Sequence, residues 1–185
     1  MQYLRSCFFY LSKKNRLIPG KDTFKINLTN DPEKFGVCAL MMSMSEPWIT
    51  LGIDYQLSMN AFAGPCKEIY VLEKGKEIAG FVILQICGTF SGYIQTICID
   101  EKYRGEGLGK RMLCFCEERI HKISPNVFIC VSSFNKGAIK LYYEFGFKLV
   151  GELKDFVKEG FDELLLRKTI GPRLGYTAPP VNDNS

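Results

Sequence analysis

The sequence predicts an α/β domain built on a mixed sheet, and three observations point to it. Its 185 residues are 46% hydrophobic and 24% charged, which is an ordinary globular composition. Along the chain, short segments in which every second residue is apolar alternate with segments in which apolar residues recur at helical spacing. Turn signals such as Ile18-Pro19-Gly20 and Lys74-Gly75-Lys76 stand between segments. Helices that alternate with strands in this way pack on a mixed sheet.

One domain is expected to occupy residues 23–170. Residues 1–22 are predicted to be an N-terminal extension, and residues 171–185, which are polar and contain Pro179-Pro180, a flexible tail. A domain of this size buries roughly 70% of the surface of its unfolded chain, so it needs no disulfide or metal to hold a core.

The first half of the domain is predicted to contain four strands and two helices. Asp31-Pro32 and Ser45-Glu46-Pro47-Trp48 each open a helix, because a polar cap followed by proline in the first turn is a typical start signal. The strands have alternating or β-branched sequences and cover residues 23–28, 68–73, 77–86 and 92–99.

The second half is predicted to contain two helices and three strands. The first helix follows a glycine-rich turn, carries Leu108, Met112 and Ile120 on one face and ends before Pro125. The second helix, residues 135–145, ends at Gly146, the residue type favoured just after a helix. The three strands cover residues 126–131, 147–155 and 161–168.

The charge balance limits the classes of partner. The net charge is +4, from 24 Lys and Arg against 20 Asp and Glu, which is too small to indicate a nucleic-acid surface but suits one polyanionic small ligand. The apolar patch at residues 7–11 is shorter than the roughly 7–15-residue core of a signal peptide, and no run approaches the ~20 apolar residues of a membrane span. The protein is therefore expected to be cytoplasmic, with no nucleic-acid or membrane partner.

Eight cysteines raise the question of disulfides or a metal site. Five of them lie in apolar periodic segments, where Cys behaves as a small hydrophobic residue: Cys87, Cys98, Cys114, Cys116 and Cys130. The sequence contains no CxxC pair with zinc-site spacing. Reduced, intracellular thiols and no metal are the expectation.

The sharpest motif is a glycine-rich segment between a predicted strand and a predicted helix, Tyr103-Arg104-Gly105-Glu106-Gly107-Leu108-Gly109-Lys110-Arg111. Unpaired N–H groups and the positive dipole end make a helix N-terminus an anion site. The glycines let a phosphate approach the backbone, and Arg104, Lys110 and Arg111 add positive charge. The segment is neither a Walker A motif nor a dinucleotide motif. A purely structural glycine turn is the alternative.

A second motif begins after the next predicted strand and makes a family resemblance clear. The pattern Arg104-x-x-Gly107-x-Gly109 resembles the acetyl-CoA pyrophosphate motif of the GNAT N-acetyltransferase superfamily. The pattern Asn135-x-x-Ala138-x-x-Leu141-Tyr142-x-x-x-Gly146-Phe147 resembles the segment that follows it in that family. The resemblance covers about residues 23–170 and implies a mostly antiparallel sheet of about seven strands flanked by about four helices. Glu101 stands where many members have proline, which is expected to alter loop stiffness and leave phosphate binding intact.

The resemblance implies that acetyl-CoA binds as the acetyl donor. The implied binding residues are Ile97, Cys98, Ile99, Arg104, Gly105, Glu106, Gly107, Leu108, Gly109, Lys110, Asn135, Ala138 and Tyr142. Backbone groups of residues 97–99 would pair with the pantetheine arm as with an added strand, and N–H groups of residues 105–110 would hold the pyrophosphate. Asn135 would bond the pantetheine chain or the nearby backbone.

The resemblance also implies direct transfer of the acetyl group to a primary amine. Tyr142 is the expected general acid beside the thioester sulfur, because a phenol of pKa roughly 10 can protonate a departing thiolate of pKa roughly 8.5. The alternative is that Tyr142 only packs against the sheet. A backbone N–H near Cys98 would stabilise the thioester oxygen. No covalent role is expected for Cys98, since no histidine is available to activate it, and His121 is expected to be a surface or helix-end residue.

The general base and the acceptor are left open. Tyr93, Glu46 and Glu163 are candidate bases, whereas Gln95 has no titratable proton. In the family the acceptor lies between the first two helices and the last hairpin loop, here residues 45–60 and 155–161. The aromatic and acidic candidates there are Trp48, Tyr55, Phe156, Phe161, Glu46, Asp54 and Glu159.

Several alternatives stay open at this point. The acceptor is either a small-molecule or amino-acid amine or a peptide or protein amine, and the protein is a monomer or a homodimer. A catalytically silent acetyl-CoA-binding sensor or scaffold is the alternative function. A protein-interaction module with a structural glycine loop is a further one.

Overall fold

The computed structural model describes residues 24–178 and shows a seven-stranded sheet in the order β1-β2-β3-β4-β5-β7-β6. The strands are β1 (Phe24–Leu28), β2 (Lys67–Lys74), β3 (Glu77–Gln85), β4 (Tyr93–Ile99), β5 (Asn126–Ser132), β6 (Lys148–Lys158) and β7 (Phe161–Thr169). The helices are α1 (Pro32–Ser43), α2 (Trp48–Leu51), α3 (Tyr55–Asn60), α4 (Leu108–Ile120) and α5 (Lys136–Phe145). The predicted extension 1–22 and the tail residues 179–185 lie outside the described residues.

The sheet is mixed and mostly antiparallel, as predicted. Within residues 24–178, β4 and β5 form the one parallel pair, and every other neighbouring pair is antiparallel. The first three helices cover one face, where Cys38 and Met42 pack with Phe81 and Ile83. Helices α4 and α5 cover the other face, where the apolar side of α4 packs on residues such as Val82. The α/β fold predicted from the sequence is confirmed.

The second predicted helix is two short helices, which makes five helices in the described part of the chain rather than about four. Gly52 has φ +73° and ends α2 in the left-handed conformation that glycine adopts readily. The Asp54 carboxylate then accepts a hydrogen bond from the N–H of Leu57 and opens α3 as its N-cap. The sequence contained both signals, a glycine and a new cap two residues later.

The expectation of fully reduced cysteines is wrong for one pair. Cys66 and Cys87 form a disulfide, with their Cα atoms 5.7 Å apart. They flank the β2–β3 hairpin, in which Lys67 pairs with Gln85, so the antiparallel register brings the two residues together. Their separation of 21 residues in the sequence does not indicate a disulfide until the strand register is known. The other cysteines of the described chain are free thiols: Cys38, Cys98, Cys114, Cys116 and Cys130.

The start of the predicted flexible tail contacts the domain. Arg173 donates a hydrogen bond to the carbonyl of Thr89, and the Tyr176 hydroxyl donates one to the carbonyl of His121. His121 lies at the C-terminal end of α4, as predicted, but it is buried rather than on the surface. Within residues 24–178, the structure contains no helix with the length and apolarity needed to cross a membrane.

Gly92→Ala is expected to destabilise the fold by about 3 kcal/mol, because it combines backbone strain with overpacking. Gly92 has φ +93°, and a Cβ there would lie 2.5 Å from the Asn126 carbonyl oxygen and 2.6 Å from an Ile120 methyl carbon. Urea unfolding measures the change. Gly88→Ala is the control, since φ is +86° but no described atom lies within 4 Å of its Cβ, so strain alone should cost about 1–2 kcal/mol. Equal losses in the two variants would contradict the packing argument.

Candidate functional site

The parallel strands β4 and β5 separate soon after they meet. Their pairing is limited to Tyr93 with Phe128 and Ile94 with Ile129, although each strand has seven residues. The remaining halves of the two strands face a cavity of about 1140 Å³, which is also lined by the N-terminal ends of α4 and α5. A chain-like ligand placed in this gap would meet two strand edges that have no strand partner within residues 24–178.

The backbone groups that face the gap belong to Ile97 and Ile99. The N–H of Asp100 donates to the carbonyl of Ala79 on the β3 side, at 3.0 Å. Because backbone groups alternate in direction along a strand, those of Cys98 also point toward β3. A Cβ built on Gly80 of β3 would lie 2.7 Å from the Cys98 carbonyl oxygen, which agrees with this direction. The backbone groups of Cys98 therefore point away from the gap, whereas those of Ile97 and the N–H of Ile99 point into it; the Ile99 carbonyl accepts a hydrogen bond from Arg104.

The glycine loop forms the end of the gap. Gly105 and Gly107 have φ +82° and +79°, and α4 begins directly after Gly107, its N-cap. A Cβ at either glycine would meet no described atom within 4 Å, so the loop opens toward the space that a ligand would fill. The N–H groups of the first turn of α4 have no partner in the helix. This geometry fits an anionic group such as a pyrophosphate.

The basic residues of the loop have different roles. Arg104 lines the cavity, but its Nε donates to the Ile99 carbonyl at 3.1 Å and its Nη2 to the Ser45 hydroxyl at 3.2 Å. Arg111 donates to the carbonyl of Phe24 and so ties β1 to α4 rather than lining the cavity. Lys110 lines the cavity, whereas Glu106 is exposed outside it. The charge beside the glycines is thus smaller than the sequence predicted.

The segment that contains Glu101, where many family members have proline, is ordered by hydrogen bonds instead. Residues Glu101–Tyr103 form one turn of 3₁₀ helix, and the Asp100 carboxylate caps it by accepting from the N–H of Lys102 at 3.0 Å. Tyr103 is buried, and its hydroxyl donates to the Glu77 carboxylate. These contacts order the approach to Arg104.

Close packing of α4 on α5 positions Tyr142. A Cβ on Gly109 would lie 3.3 Å from a methyl carbon of Leu141, so the glycine lets the two helices approach. Asn135 caps α5 by accepting from the N–H of Ala138 at 3.1 Å, which is the backbone contact that the sequence offered as one alternative. Tyr142 is 6% exposed and lines the cavity. Burial raises the pKa of its hydroxyl, which keeps the group protonated near neutral pH.

Polar side chains meet where β4, β5 and β7 border the cavity. The Tyr93 hydroxyl interacts with the Cys130 thiol, and the Ser132 hydroxyl donates a hydrogen bond to the Glu163 carboxylate. Burial raises the pKa of Tyr93 and of Glu163. Ser132 was missed from the sequence; the available signal was a polar residue at the end of an apolar strand.

The predicted acceptor segments contribute part of their residues to the cavity. Trp48, Phe156 and Glu46 line it, and so does Lys158, which the sequence did not single out. The remaining predicted residues lie outside the lining: Tyr55, Phe161, Asp54 and Glu159. Two of them have structural contacts instead, since Asp54 caps α3 and Phe161 packs edge-on against Phe134.

No metal site is apparent in the described part of the chain, where no three His, Cys, Asp or Glu side chains are grouped to hold an ion. The polar and charged side chains that line the cavity include side chains from the glycine loop and from β4, β5 and β7, together with Glu46, Asn135 and Lys158.

Known proteins resemble the chain at the level of sequence and of fold. A region of 63 residues is 35% identical to a spermine/spermidine N(1)-acetyltransferase of Bacillus subtilis, covering 33% of this chain and 41% of that one. A region of 110 residues is 27% identical to an N-alpha-acetyltransferase of Sulfurisphaera tokodaii, covering 52% of this chain and 66% of that one. The fold is similar to that of a Bacillus subtilis acetyltransferase solved in complex with CoA, with a TM-score of 0.61, 17% identity and coverage of 80% and 100% of the two chains.

The matched regions span less than two thirds of these two curated relatives. The family assignment rests on a longer match, because the sequence model of the acetyltransferase (GNAT) family aligns with residues 36–147, more than half of the chain. That region contains both motifs, the open edge of β4 and Tyr142. The chain therefore belongs to the acetyltransferase (GNAT) family, as the sequence predicted.

Proposed function

We propose that this protein is an N-acetyltransferase that moves the acetyl group of acetyl-CoA directly to a primary amine. The observation that supports this most is the gap between β4 and β5, which ends at the glycine loop of α4. The backbone groups of Ile97 and the N–H of Ile99 suit the amide-containing pantetheine arm, and the loop suits the pyrophosphate. The CoA complex of a protein with the same fold supports the same ligand.

The chemistry that we propose uses few protein groups. The amine nitrogen bonds to the thioester carbonyl carbon, the C–S bond breaks, and the thiolate of CoA receives a proton. Tyr142 is buried, protonated and at the cavity, so it is the proposed donor of that proton. An N–H on the open edge of β4, from Ile97 or Ile99, would stabilise the charge on the thioester oxygen. Burial raises the pKa of the Cys98 thiol to about 11, which disfavours a covalent route through that residue.

The acceptor is proposed to be a primary amine in the space bordered by Trp48, Phe156 and Glu46. One relative is named for acting on spermine and spermidine, and the other for the α-amino group, so both a polyamine and a peptide N-terminus are candidate acceptors. A cytoplasmic location, and a monomeric or homodimeric state, are retained as parts of the proposal.

The test is CoA release by the full chain with acetyl-CoA and, separately, spermidine and a short peptide with a free N-terminus. Amine-dependent release, with the mass of one acetyl group added to the amine, is the expected result. Binding of acetyl-CoA without release for any amine in a broad panel would favour a catalytically silent sensor and would contradict the proposal.

A further inference from the structure

Glu163 is a buried carboxylate that has no cationic partner in the described part of the chain. It is 5% exposed, and the Ser132 hydroxyl donates to one of its oxygens. Within residues 24–178 it forms no ion pair with Lys, Arg or His. A buried carboxylate normally has a positive partner, because removing its charge from water is costly.

Other partly buried carboxylates of the chain follow that rule. Glu68 pairs with Arg119, Glu117 with Lys168 at 2.7 Å, and Glu73 with Lys34 at 2.8 Å. These three partners are side chains of the same molecule. Glu163 instead lines the cavity. The positive charge that Glu163 does not find within residues 24–178 could therefore come from a ligand bound in the cavity.

The titratable groups that interact electrostatically with Glu163 are neutral ones. On β4 the Tyr93 hydroxyl interacts with it electrostatically, on β5 the Cys130 thiol does, and on α5 the Tyr142 hydroxyl does. All three have raised pKa values, mainly because of burial, so they are protonated near neutral pH. The carboxylate and the proposed proton donor Tyr142 border the same cavity.

We propose that Glu163 binds the ammonium group of the acceptor and takes its proton before the amine attacks, which makes this enzyme selective for aliphatic amines that are cationic at neutral pH. The inference rests on the proposed acetyltransferase function and identifies the group that the sequence left open. Ser132 holds the carboxylate in place and is a positioning residue.

The protons balance along this route. An ammonium R–NH₃⁺ transfers one proton to the Glu163 carboxylate and becomes R–NH₂. The nitrogen then bonds to the thioester carbon as the C–S bond breaks. The thiolate takes the Tyr142 proton, and Tyr142 is reprotonated by the second proton that the nitrogen loses. Glu163 finally releases its proton to solvent, so each turnover produces one amide, one thiol of CoA and one free proton.

The pH dependence follows from the same group. Burial raises the pKa of the Glu163 carboxyl above its usual value, against a smaller opposing effect of the Ser132 hydrogen bond. Only the ionised carboxylate can accept the proton, so kcat/KM for the amine is lost as pH falls through that raised pKa. Above it, kcat/KM should level off up to the pKa of the amine, near 10.4 for an alkyl ammonium.

The test compares Glu163→Gln with the wild-type chain over a range of pH. The glutamine keeps an acceptor for Ser132 but cannot take a proton, so kcat/KM for spermidine near pH 7 should fall at least about a hundredfold. Its remaining activity should rise about tenfold per pH unit, because it depends on the small fraction of free amine. Calorimetric affinity for acetyl-CoA should stay within about twofold. Glu152→Gln, on the neighbouring β6 and half-exposed, should behave like wild type.

The outcomes separate this inference from the function on which it rests. A deficit that narrows as pH rises supports the role of Glu163. If kcat/KM of Glu163→Gln is unchanged, or falls by the same factor at every pH, the role of Glu163 is overturned. Turnover by the wild-type chain would in that case still support the acetyltransferase function. If the wild-type chain neither binds acetyl-CoA nor releases CoA, the proposed function and this inference both fail.

Discussion

Gly107→Glu is expected to lower the affinity for acetyl-CoA at least about a hundredfold, which corresponds to about 2.7 kcal/mol. Gly107 is the N-cap of α4 with φ +79°, a conformation that side chains other than glycine rarely adopt. The new carboxylate would also extend into the space proposed for the pyrophosphate and would repel it. Calorimetric titration with acetyl-CoA measures the loss.

Gly75→Glu is the matched control for that variant. Gly75 lies in the β2–β3 turn with φ +63°, and a Cβ there would meet no described atom within 4 Å. It introduces the same charge and similar backbone strain away from the cavity, so it should lose stability without losing affinity. An equal loss of acetyl-CoA affinity in both variants would show that strain, rather than the position of the charge, determines the effect.

Tyr142→Phe is expected to lower kcat at least tenfold, about 1.4 kcal/mol, with acetyl-CoA affinity nearly unchanged. The variant keeps the ring, which packs 5.9 Å from the ring of Phe147, and removes only the hydroxyl that would protonate the thiolate. Steady-state turnover and calorimetric affinity measure the two quantities separately.

Tyr143→Phe is the control on the same helix. Tyr143 is adjacent in sequence but 44% exposed, so its hydroxyl is not enclosed in the cavity. Its removal should leave kcat unaffected. If kcat of Tyr142→Phe is unchanged, Tyr142 is not the proton donor and has only a packing role.

The fold was predictable because its signals are local. The caps at Asp31 and Asn135 and the terminating Gly146 mark helix ends by hydrogen bonds within a few residues. The sequence likewise located the strands within one or two residues of their observed ends, except that β6 continues three residues past its predicted end at 155, to Lys158. The division of the second helix at Gly52 was visible in the same way but was not predicted.

Features that depend on register could not be predicted. The Cys66–Cys87 disulfide follows from the pairing of β2 with β3. The direction of the Cys98 backbone follows from which alternate residues of β4 bond to β3. In the site, Arg111 donates a hydrogen bond to the carbonyl of Phe24 on β1. These two residues are far apart in the chain, so the sequence did not indicate the contact. Glu163 was one of three candidate bases until the structure showed its burial and its lack of an ion pair within residues 24–178.

The most direct measurement of the central claim is a calorimetric titration of acetyl-CoA into the purified full chain, with free CoA as the comparison. Heat is preferable to thiol-reactive dyes, because the described chain has five free cysteines. Saturable binding at one site, with CoA competing for it, is the predicted result. No binding of either compound at millimolar concentration would contradict the account, because the gap between β4 and β5 and the loop at Gly107 would then have no acetyl donor to hold.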